Sequence, residues 1–145
     1  MLDPMRETTT VELHSMTDSQ TIRKVLWMGA AFNLLIALML LFPSTLGAFA
    51  ALPPVGSVFY LWMLIFFVVL FSGTYVWLAL QPLISRPVVA LAAIGKTGVF
   101  FVALACLVGG DIQLRTFLIT LGDLAFALYS FRWLQSTRAT VVNTV

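Results

Sequence analysis

Four long apolar runs, divided by polar, proline-bearing or glycine-bearing breaks, set the frame of this chain. The first covers residues 25–42, VLWMGAAFNLLIALMLLF, and Pro43 ends it. The second covers 58–80, VFYLWMLIFFVVLFSGTYVWLAL, and Gln81-Pro82 closes it. The third covers 87–108, with Pro87 in the first helical turn, where its missing N–H does no harm. Gly109-Gly110 is a helix stop, and Asp111 is placed to cap a fourth helix over about 112–134. At ~1.5 Å per residue each run reaches ~27–35 Å, matching a hydrocarbon core of ~30 Å. The pattern predicts an all-α polytopic membrane protein, an antiparallel four-transmembrane-helix bundle over 25–134.

The flanks differ in character. Residues 1–24 are polar and mixed in charge and read as a flexible tail, with Thr17 and Gln20 forming a capping box ahead of the first span. Residues 135–145 form a short polar tail. The 43–57 segment is an uncharged Pro/Gly/Ala-rich loop whose Leu46, Phe49 and Leu52 favour the membrane interface over water. The breaks at 81–86 and 109–111 are short, so the second and third runs, and the third and fourth, are expected to be hairpin neighbours. Ala48-Phe49-Ala50 also resembles a small-residue cleavage site, and cleavage there would leave three spans. The length of the first apolar run and of the segment before it argue for retention.

Charge placement sets the expected orientation. With the N-terminus inside, Arg6, Arg23, Lys24, Arg86, Arg132 and Arg138 are cytoplasmic and only Arg115 is outside. Trp27, Trp77 and Trp133 then mark the inner interface, and Tyr60 and Trp62 the outer one. The expected location is a cell inner membrane, with both termini in the cytoplasm.

Composition narrows the function classes. Of 145 residues, 61% are hydrophobic and 10% charged, far from the balance of a soluble domain. The mean hydropathy is +1.02. The few cations are scattered, with no basic patch and interleaved aromatics, so nucleic acid is not an expected partner. His14 is the only histidine and Cys106 the only cysteine. Two buried axial histidines for haem, a Cys/His zinc site and an intrachain disulfide are therefore excluded, and no cofactor is expected.

Two ionisable residues lie deep in the apolar runs. Lys96, in AAIGKTGVF, falls ~13 Å into the core from one side; Asp123, in ITLGDLAFA, falls ~17 Å from the other. Adjacent antiparallel helices bring them to one depth. A lone charge there costs about 2.5–3.5 kcal/mol, so pairing is favoured. The helical repeat puts Thr116, Thr120, Asp123, Ala127 and Ser130 on one side of the fourth helix, with Leu118, Leu121 and Leu128 facing away. Ala92, Lys96 and Ala103 share a face of the third. Gly29, Ala30, Asn33 and Ala37 form a small-residue patch on the first, and Ser72, Tyr75 and Ala79 on the second. Small residues allow close approach and hydroxyls or amides bond between helices, so a polar layer with one group from each helix is expected.

Each of these features also has a structural reading. The ion pair fixes register, Asn33 is interhelical glue, Gly95 and Gly98 are packing or hinge positions, and Cys106 is apolar filler. Asp111 and Arg115, four apart, form a surface pair.

The four-span plan, with FNLLIALMLLFP in the first run and the cores IGKTG and LGDLAFAL in the third and fourth, resembles DoxX-like and BphX-like small bacterial inner-membrane proteins over 25–134. That resemblance implies a bacterial inner-membrane accessory protein, in a group that includes subunits linked to quinone-dependent oxidation. It transfers no functional residue. Three functions follow for test. The first is a non-enzymatic accessory or interaction subunit with a membrane-protein partner or a second copy. The second is a binder or proton-coupled carrier of a small lipophilic or charged solute. The third is a quinone-linked membrane enzyme component using Asp123 with Tyr129 or Tyr75, which lacks a visible catalytic set.

Overall fold

The computed structural model describes residues 4–142, and their side chains from 19 to 137. The elements are α1 (Pro4–Leu41), a single π-helical turn (Pro43–Gly47), α2 (Val58–Leu80), α3 (Arg86–Gly109) and α4 (Leu114–Val142). No strand occurs among the described residues. Four segments are long and apolar enough to cross a bilayer: Ser19–Leu41, Val58–Leu80, Arg86–Gly109 and Leu114–Thr137. The chain is an all-α, multi-pass bundle.

Helix ends differ from the expected ones for local reasons. α1 begins at Pro4, well before the expected capping box at Thr17, which lies inside helical backbone. No Gly or Pro interrupts the chain between Pro4 and Gly29, so nothing stops the helix from running upstream of the span. α4 likewise continues into the polar C-terminal segment. Asp111 does not cap α4. Its N–H donates to the Cys106 carbonyl at 2.9 Å and that of Gly110 to Leu107 at 3.1 Å, closing the end of α3. Gly110 sits at φ 81°, the left-handed conformation such an end needs.

Packing follows the order α2–α1–α4–α3. The expected α3–α4 hairpin forms. The expected α2–α3 hairpin does not: their backbones nowhere come within packing distance, although only residues 81–85 separate them. That loop joins their ends but leaves the rest of each helix free to pack elsewhere. α2 instead lies along α1, where Gly29 and Ala30 allow close approach. Two arginines tie the end of the bundle where residues 81–85 join α2 to α3. Arg23 donates to the Ala79 and Pro82 carbonyls at 2.5 and 2.9 Å, covering the C-terminus of α2. Arg86 donates to the Leu134 carbonyl at 2.7 Å and to the Thr137 hydroxyl, joining the start of α3 to the end of α4.

The dry core gathers in this half. Ile22, Leu26, Leu78, Val89, Phe126 and Trp133 pack there. Trp133 therefore fills the core and does not join an interfacial belt, while Trp27 and Trp77 are exposed. Leu118, Leu121 and Leu128 are exposed on α4, the lipid-facing positions expected of them. At the other end the 43–57 loop folds back over the bundle. Thr116 donates to the carbonyls of Ala51 and Ala50 at 2.6 and 3.2 Å. Arg115 donates to Phe49 O at 3.1 Å, so its partner is the loop and not Asp111.

Candidate functional site

Three polar side chains of the spans, Asn33, Lys96 and Asp123, converge at mid-height. Lys96 lies ten residues into α3 and Asp123 nine residues into α4, so both sit ~14–15 Å from their helix starts. Lys96 Nζ forms an ion pair with Asp123 Oδ1. The same ammonium donates to Asn33 Oδ1 of α1 at 2.5 Å. Two rings flank it, with the centroid of Phe32 at 5.3 Å and that of Tyr75 at 6.0 Å. Such faces attract a cation, and the effect is larger where water is excluded.

Tyr75 comes from α2 and is almost wholly buried. Its ring stacks on Phe126 of α4, centroids 5.0 Å apart and planes at 22°. Gly29 of α1 makes room for this stack. A Cβ there would lie 2.6 Å from Phe126 and 3.3 Å from Tyr75. Sequence reading did not single out Phe126 or Phe32, because an apolar ring in an apolar helix carries no local signal of what it touches.

The remaining candidate residues serve other places. Ser72 donates to the Ala30 carbonyl at 2.8 Å, fastening α2 to α1, so the contribution of α2 to the layer is the ring of Tyr75. Thr120 bonds within its own helix, to Phe117 O at 2.7 Å. Thr116 holds the 43–57 loop. Ser130 is fully buried nearer the Arg86 end, and its hydroxyl has no protein partner among the described residues.

The Lys96–Asp123–Asn33 group is the floor of a cavity of about 300 Å³. Helical spacing builds its walls: Phe32, Ile36 and Leu40 on α1; Leu64, Val68, Phe71 and Tyr75 on α2; Ala92, Gly95 and Val99 on α3. Leu52 of the loop stands at its far end. The walls are apolar and the floor polar. Leu64 and Phe71 on one side, and Gly95 and Val99 on the other, are exposed, so the mouth lies between α2 and α3. In a bilayer that mouth faces acyl chains. A second cavity of about 400 Å³ lies under the loop and shares Leu40 and Leu52 as common walls.

Lys96 and Asp123 thus touch each other and also face an open space. The chain matches no protein-family model, no curated protein and no solved structure.

Proposed function

We propose that this membrane protein binds a small lipophilic molecule, which enters sideways from the bilayer between α2 and α3 and rests its polar end on Lys96, Asp123 and Asn33. The observation that carries this reading is the position of the ion pair on the floor of an apolar cavity with a lateral mouth. A cavity with apolar walls and a few convergent polar groups is the usual form of a small-molecule site, and about 300 Å³ lies at the lower end of the range. The ligand's head and the first part of its tail fit inside, with the rest lying among lipid.

The second reading is an accessory subunit that receives a partner's helix along the same gap. The apolar face of α2 from Leu64 to Tyr75, ~17 Å long, favours it. Both readings place the chain in a bacterial inner membrane with its termini in the cytoplasm. The grouping of Arg23 and Arg86 at one end, opposite Arg115, and the DoxX-like resemblance support this.

Purification from native membranes into nanodiscs, followed by extraction and mass spectrometry, separates the two. The binder reading expects a small lipophile enriched over the surrounding lipid and lost on Gly95→Leu. A stoichiometric protein partner lost on the same substitution, with no enriched lipophile, supports the accessory subunit.

A further inference from the structure

The floor of the cleft is selective about charge. Lys96 and Asp123 neutralise each other there. A carboxylate or an ammonium entering the cleft would add an unbalanced charge to a site shielded from water, which is unfavourable. The rings of Phe32 and Tyr75 lie beside the Lys96 ammonium and add no charge to the floor.

The unused hydrogen-bonding positions specify the head further. Lys96 has three N–H donors and uses two, toward Asp123 and Asn33. Asn33 accepts through Oδ1, and its amide N–H groups have no partner among the described residues. Asp123 is engaged through Oδ1, leaving Oδ2 as an acceptor. The floor therefore offers donors on Lys96 and Asn33 beside one acceptor on Asp123. A carbonyl oxygen next to a hydroxyl satisfies this set without bringing charge.

The tail has one direction open to it. Toward the Arg86 end the bundle is filled by Leu78, Val89 and Ile22, all fully buried. Toward the loop end, Leu40, Leu64 and Val99 keep the cavity open and apolar up to Leu52. Gly95 forms part of that wall, and a Cβ on it would meet nothing within 4 Å.

We infer that the ligand is an uncharged amphiphile carrying a carbonyl and a hydroxyl, with its head on Lys96, Asn33 and Asp123 and its tail directed toward Leu52. This rests on the binder reading above. The test uses the full chain in phosphatidylcholine nanodiscs and three probes with one tail and three heads: 1-decanoylglycerol, decanoate and decylammonium. Native mass spectrometry gives the bound fraction of each. 1-Decanoylglycerol is expected to bind about tenfold more tightly than either charged probe. Gly95→Leu, which fills the cavity from a position with free space, is expected to abolish its binding. The double variant Lys96→Met with Asp123→Leu is expected to remove the preference among heads. A preference for decanoate or decylammonium, or equal binding of all three to the unaltered protein, overturns the neutral-head assignment and leaves the binder reading standing. Failure of every probe to bind, or binding that survives Gly95→Leu, removes the binder reading itself.

Discussion

Lys96 on α3 donates to Asn33 on α1 at 2.5 Å, although the backbones of these two helices do not pack against each other. The lysine reaches across the bundle, past Asp123 on α4, and its long side chain forms the floor of the cleft. One ammonium therefore joins three helices at mid-membrane depth. Tyr75 of α2 stands 6.0 Å from it by ring centroid and adds the fourth.

Removal of one charge should cost more than removal of both. Lys96→Met leaves the Asp123 carboxylate without its counter-ion, and Asp123→Leu strands the ammonium; each should destabilise by about 3 kcal/mol. The double variant should lose less than either single variant, about 1–2 kcal/mol, because neither charge is then left alone. Unfolding in mixed detergent micelles across the four proteins measures this. Strict additivity would show that the two groups do not depend on each other.

Gly29 should tolerate no side chain. The Cβ of Gly29→Ala would press on Phe126 and Tyr75, with an expected loss of about 1–3 kcal/mol. Trimming the opposing ring with Phe126→Leu should recover part of that loss, although the same change alone leaves a gap and destabilises. The same unfolding assay reads the exchange, and a harmless Gly29→Ala would contradict the close approach of α1 to the stacked rings.

Thr116 should control the loop without disturbing the floor. Its hydroxyl holds the Ala50 and Ala51 carbonyls, and Ala51 is kept at φ 53°, a strained backbone for a residue with a side chain. Thr116→Val should cost about 1 kcal/mol and speed amide hydrogen exchange at residues 48–52. Exchange in α3 around Lys96 should stay unchanged. Equal acceleration in both regions would mean that the loop and the floor are one cooperative unit.

The spans were legible because a bilayer demands long apolar runs, and Lys96 and Asp123 stood out because charge inside such runs is rare. Helical rise then put both at one depth. The small-residue faces were legible for the same reason: Ala30, Ala37, Ala127 and Ser130 recur at helical spacing, and all are buried. Neighbour relations were harder to read. A short loop suggested an α2–α3 hairpin, but a loop constrains only helix ends, and the shapes of Gly29, Phe126 and Tyr75 decided which faces met. The cavity follows from that choice, since α2 turns to α1 and leaves a gap beside α3. Trp133 misled in the same way. Its place near a span end matched an interfacial belt, but the face of α4 it occupies points inward.

The contact between Lys96 and Asp123 can be measured directly, because the chain holds only two lysines, Lys24 and Lys96. Solid-state NMR of the protein in lipid, with 15N at lysine Nζ and 13C at aspartate Cγ, reads the distance between them, and Lys24→Arg identifies the Lys96 signal. Expected is strong dephasing of the Lys96 resonance, corresponding to a separation of about 4 Å or less, and its loss in Asp123→Leu. A Lys96 signal that is not dephased by any aspartate would contradict the paired floor, and with it the site built upon it.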